Sequence, residues 1–127
     1  DKRVEEGLDA VGLLDAIDKL PSDLSGGMRK RAGLARTIVI NPEIILYDEP
    51  TTGLDPITSR EISELILKIQ KQNQTSSIII THDMECARIA ADRILIMDNG
   101  KYIAEGSFEE LHKSKNKADA AYFTDIL

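Results

Sequence analysis

Two carboxylates stand together at the end of a short apolar run, "IILYDEP" at 44–50. Unpaired buried charge is costly, and successive strand residues point in opposite directions, so Asp48 and Glu49 cannot share one task. Beside a phosphate chain, one acid can hold a divalent metal directly or through water. The other can orient a water toward the terminal phosphorus. A solvent-facing acid pair turned away by Pro50 is the competing reading, and the residues alone leave both open. A second apolar run, "SIIIT" at 77–81, leads into His82 and Asp83. His82 is expected near Glu49 on the same sheet edge, where its ring could donate to a phosphate oxygen or hold the water.

"DLSGGMRKR" at 23–31 poses a different question. Glycine inside a helix costs about 1 kcal/mol relative to alanine, whereas a pair at a helix start is cheap. Ser25, Gly26 and Gly27 there offer a hydroxyl, close backbone approach and the positive end of the helix dipole, which suit a phosphate. Taken alone, a serine-capped helix with glycines for tight packing is the simpler reading. Asp55, in "TTGLDP", likewise reads first as the N-cap of the helix that follows.

The elements needed to position these residues follow from spacing. Val4, Leu8 and Val11 form a helical stripe ending near Gly12, and Leu14, Ile17 and Leu20 predict a second short helix stopped by Pro21. Met28, Ala32, Ala35 and Val39 mark the expected buried stripe of the helix capped by Ser25. Residues 44–48 and 77–81 read as strands buried on both faces, with a helix over 57–72 between them and another over 83–91. "RILIM" and "KYIAEG", joined at Asp98-Asn99-Gly100, predict a hairpin. Ser107 and Glu110 have capping-box spacing for a helix near 107–113, and "KSKNK" reads as a solvated linker before a short terminal helix. Strands alternating with helices imply a mostly parallel α/β sheet, whose ligands gather at the carboxyl ends of strands.

At 127 residues the chain has the length of one domain, and its net charge of −6 argues against a general nucleic-acid binder. The single cysteine, Cys86, has no internal disulfide partner and reads as packing. No apolar run approaches the roughly 20 residues that span a bilayer. The start, "DKRVEEGLDA", lacks methionine and any signal-peptide pattern, and reads as a boundary inside a larger domain.

Together, "LSGGMRKRAGLARTI", "IILYDEP", "TTGLDP" and "IIITHD", in this order, resemble the second half of an ABC-type ATPase domain, a P-loop NTPase fold. The resemblance covers essentially all 127 residues. It divides them into the end of a helical subdomain with the signature motif (1–40), a core with Walker B, D-loop and H-loop (41–106) and C-terminal helices (107–127). It implies that Asp48 supports Mg²⁺, that Glu49 polarises the attacking water, and that His82 contacts the γ-phosphate of ATP. By the same resemblance Asp55 lies in the D-loop. Ser25, Gly26 and Gly27 are implied to meet the phosphate held by a second, identical subunit, with Met28 where glutamine is commoner.

No G-x-x-x-x-G-K-[ST] occurs in the sequence, so the resemblance implies that these residues alone are not a competent ATPase. "LSGGMRKRAGLAR" and "DPIT" further resemble the ATPases of Mla-type lipid importers. That finer likeness implies phospholipid transport by a membrane permease, with the ATPase peripheral on the cytoplasmic face of the cell membrane. A soluble ABC-type ATPase acting on DNA or ribosomes is the alternative, and a non-enzymatic interaction fragment a third reading.

Overall fold

The computed structural model describes residues 1–114. Helix α1 (Lys2–Ala10) is capped by Asp1, whose side chain accepts from the Arg3 N–H. Helix α2 (Gly26–Ile38) leads to strand β1 (Ile44–Asp48), α3 (Pro56–Asn73), β2 (Ser76–Ile80) and α4 (Met84–Ala90). The hairpin β3 (Ile94–Asp98) and β4 (Lys101–Gly106) is followed by α5 (Phe108–His112). The short terminal helix expected after "KSKNK" lies outside the described residues.

Strands β1 and β2 pair in parallel, Ile44 opposite Ser76 and Asp48 opposite Ile80, joined by a crossover through α3. The hairpin is a separate two-stranded antiparallel sheet. Its turn has Asn99 at φ 47° and Gly100 at φ 72°, the positive values that a primed two-residue turn requires. Ser107 and Glu110 form the expected reciprocal capping box of α5.

One face of the parallel sheet carries the core. Ile45 and Tyr47 pack with Leu34, Ala35 and Ile38 of α2 and with Ile62, Ile66 and Ile69 of α3. The opposite face is open: Ile44, Leu46, Ile78 and Ile80 are 64%, 73%, 58% and 58% exposed. The expectation of strands buried on both faces is therefore corrected. A continuous apolar run reads the same whether one face is covered or two, and here the core helices α2 and α3 cover one.

Two further corrections concern helices. Leu14, Ile17 and Leu20 do not form an α-helical stripe; Leu14–Ala16 is one 3₁₀ turn, and all three apolar side chains are exposed. Between Gly12, at φ 69°, and Pro21 the segment is too short to repay helix nucleation. In α2 the buried positions are Leu34, Ala35 and Ile38, with Met28 and Ala32 partly buried, so the stripe is rotated from the one expected.

The basic run of α2 ties chain segments together. Arg29 Nη1 donates to the Leu24 carbonyl at 2.5 Å, and Arg31 Nη1 donates to the Val11 carbonyl at 3.1 Å. Arg31 also pairs with Glu61 of α3 at 3.0 Å, which brings α2, α3 and the end of α1 into one arrangement.

Candidate active site

The parallel ladder extends one residue past β1, because the Glu49 N–H donates to the Ile80 carbonyl at 2.9 Å. At that point the chain turns sharply: Glu49 has φ 47°. A left-handed backbone costs a side-chain-bearing residue about 1–2 kcal/mol, and Pro50 restricts its predecessor further. Such strain survives only where surroundings fix it. The Glu49 carbonyl accepts from the Thr52 N–H at 3.3 Å and from Lys30 Nζ at 3.2 Å.

The turn separates the two acids. Asp48 shares the open sheet face with Ile44 and Leu46, whereas the Glu49 carboxylate meets His82. His82 Nδ1 lies 3.0 Å from both carboxylate oxygens of Glu49, and the Thr52 hydroxyl donates to Oε2 at 3.0 Å. The hydrogen bond from His82 holds the Glu49 carboxyl below its ordinary range, with Thr52 adding to the effect. Glu49 in turn raises the His82 pKa, first through that hydrogen bond and then through its charge.

His82 is positioned from behind by a network that spacing did not reveal. Asp83 caps α4, accepting from the N–H groups of Glu85 and Cys86 at 3.0 and 3.2 Å. The hydroxyl of buried Thr51 donates to the other Asp83 oxygen at 2.7 Å. The loop after β1 and the loop after β2 are thereby joined beside the Glu49–His82 pair. Thr51, Thr52, Asp83 and Lys30 are the residues that sequence reasoning missed.

Ser25, Gly26, Gly27 and Asp55 form a second group. The Ser25 hydroxyl accepts from the Met28 N–H at 3.2 Å, capping α2. A Cβ on Gly27 would lie 2.6 Å from Thr58 Cγ2, and one on Gly26 would lie 3.4 Å from Leu54 Cδ2. Close packing against the start of α3 therefore requires a glycine at 27. Asp55 caps α3, accepting from the N–H and hydroxyl of Thr58 at 3.0 and 2.5 Å, bonds that lower its pKa. Both capping readings hold, and they place the diglycine turn and the Asp55 turn side by side.

Among the described residues no group of three or more His, Cys, Asp or Glu side chains is arranged to hold a metal. Asp48 supplies one outward carboxylate, which suits Mg²⁺, an ion that keeps water and phosphate oxygens among its ligands. No helix among the described residues is long and apolar enough to cross a membrane.

An ABC transporter family model matches residues 1–52. The chain is 46% identical over 105 residues to a methionine import ATP-binding protein of Carboxydothermus hydrogenoformans, covering 83% of this chain and 31% of that protein. It is 42% identical over 113 residues to the L-cystine import ATP-binding protein TcyN of Bacillus subtilis, covering 89% and 43%. Among solved structures, cbiO1 of Clostridium perfringens, part of the ABC transporter complex cbiONQ, superposes with a TM-score of 0.82 at 31% identity. That match covers 98% of this chain and 49% of the other. A dimeric ATP-binding cassette in a post-hydrolysis state, with ADP and Pi bound, matches with a TM-score of 0.71 at 33% identity, covering 84% and 46%. The chain thus spans less than half the length of each of these four proteins. Over the portion it spans, the chain has the fold of an ABC ATPase domain and matches the ATP-binding proteins of ABC transporters.

Proposed function

We propose that the whole protein containing this chain hydrolyses ATP to drive import through a membrane permease, as one of two identical ATPase subunits. The observation that carries this reading is the Glu49–His82 pair at the carboxyl ends of adjacent parallel strands, with the two side chains 3.0 Å apart. Glu49 is the water-polarising carboxylate and His82 its partner toward the terminal phosphate. Asp48 contributes one carboxylate toward Mg²⁺, which when bound would neutralise charge on the phosphates. Ser25, Gly26 and Gly27 present the amino end of α2 to the nucleotide of the second subunit, with Asp55 alongside. In the structure His82 occupies both Glu49 oxygens, so Glu49 becomes available to water when His82 turns to a phosphate oxygen.

The names of the matched relatives point to methionine or cystine as cargo. We therefore place the protein with amino-acid importers, replacing the phospholipid cargo expected from "LSGGMRKRAGLAR" and "DPIT". The same import names disfavour an ATPase acting on DNA or ribosomes. The subunit would sit on the cytoplasmic face of the membrane through its permease.

Glu49→Gln in the full-length protein tests the assignment. ATP binding is expected to persist while turnover falls at least about 100-fold, the scale of losing an essential base. Hydrolysis at the wild-type rate would remove Glu49 from the mechanism.

A further inference from the structure

We propose that Lys30 is a positioning residue for Glu49: from α2, its ammonium holds the Glu49 carbonyl and fixes the turn that aims the carboxylate at His82. The inference rests on the reading of Glu49 as the water-polarising group. It adds a residue from the signature helix that acts on the hydrolytic side chain of its own chain.

Four non-glycine residues among those described have positive φ: Asn41, Glu49, Gln74 and Asn99. Asn41 and Gln74 follow helices and Asn99 sits in the hairpin turn, places where a left-handed residue is ordinary. Glu49 is in no such place; it lies one residue past β1, with its N–H still paired to β2, and precedes proline. Its conformation must be held from outside.

The Glu49 N–H is fixed by Ile80 at 2.9 Å, which anchors one side of the residue to β2. The other side, the carbonyl, receives the Thr52 N–H at 3.3 Å and Lys30 Nζ at 3.2 Å. A hydrogen bond from an ionised donor is roughly twice as strong as a neutral one, so Lys30 is the stronger restraint. Lys30 is partly buried and lines a cleft of about 170 Å³ with Leu34, Thr37, Tyr47, Asp48 and Pro50. That cleft has room for a larger donor at position 30. Lys30 touches neither carboxylate oxygen of Glu49; it acts through the backbone alone.

Steady-state ATP hydrolysis by the full-length protein and its Glu49→Gln, Lys30→Met and Lys30→Arg forms tests this. Lys30→Met removes the donor and keeps the apolar stem; kcat is expected to fall about 10-fold with KM for Mg-ATP changed less than about 2-fold. Lys30→Arg restores a donor and should recover most of the loss. Amide exchange without nucleotide gives a second measurement: Thr52, whose N–H shares the same carbonyl, should exchange about 10-fold faster in Lys30→Met. Wild-type kcat in Lys30→Met beside a dead Glu49→Gln would overturn the proposal. So would unchanged Thr52 exchange, or a Lys30→Arg form as impaired as Lys30→Met. Wild-type turnover in Glu49→Gln would instead overturn the underlying reading, and the proposal with it.

Discussion

His82 Nδ1 lies 3.0 Å from the Glu49 carboxylate, so a residue past β2 closes on a residue past β1 across the end of the parallel sheet. The pair shifts both groups toward their charged forms, lowering the Glu49 pKa and raising that of His82.

The pair has a defined pH window. Glu49, with its pKa below 4.5, contributes stability that is present above its unfolded value and lost as pH falls through the lowered one. His82, with its pKa above 6.5, contributes stability that is complete below 6.5 and lost as pH rises through the raised value. A proton NMR titration should give His82 a midpoint above 6.5, and Glu49→Gln should bring it down. Identical midpoints in the two forms would mean that the ring and the carboxylate do not interact in solution.

Glu49→Gly should separate stability from activity. Glycine adopts the left-handed turn freely, which offsets the lost bonds to His82 and Thr52. The melting temperature is expected to stay within a few degrees, about 1 kcal/mol, while turnover disappears. A large drop in melting temperature would mean that the side-chain contacts, not the backbone, stabilise this turn.

Thr51→Val removes the 2.7 Å bond to Asp83 while keeping the shape of a buried side chain. Loss of a hydrogen bond to a charged group should cost about 2 kcal/mol. Urea unfolding should show a lower midpoint at unchanged slope. An unaltered midpoint would show that the two loops are not joined through this bond.

The open face of the parallel sheet should make the 127-residue chain self-associate. Ile44, Leu46, Ile78 and Ile80 form an exposed apolar strip on adjacent strands, and such strips and sheet edges pair readily. Light scattering should report dimers or larger species, and Leu46→Lys with Ile78→Glu should return the monomer. A monomeric wild-type chain would contradict this expectation.

The elements were legible because their punctuation is local. Pro56 after Asp55, the Asn99–Gly100 turn and the Ser107–Glu110 box each mark a boundary within a few residues, and β1 and β4 fall where expected. Burial was less legible. The apolar residues of "IILYD" give no sign that Ile44 and Leu46 face outward. That Glu49 and His82 lie together was readable, because both directly follow apolar runs that pair as adjacent parallel strands. Lys30 was not, because a bond between residues 19 apart depends on how α2 lies across the sheet. The left-handed turn at Glu49 was also hidden, since glutamate carries no preference for it.

Gly27 changes what mutational sensitivity can mean in this segment. A single methyl group there would collide with Thr58 at 2.6 Å, so a screen would return alanine as harmful even in the absence of any nucleotide. Intolerance at 27 therefore speaks first about how two helices fit. Ser25 is exposed, yet its hydroxyl caps α2 by accepting from the Met28 N–H, so intolerance there also reports the loss of that cap first.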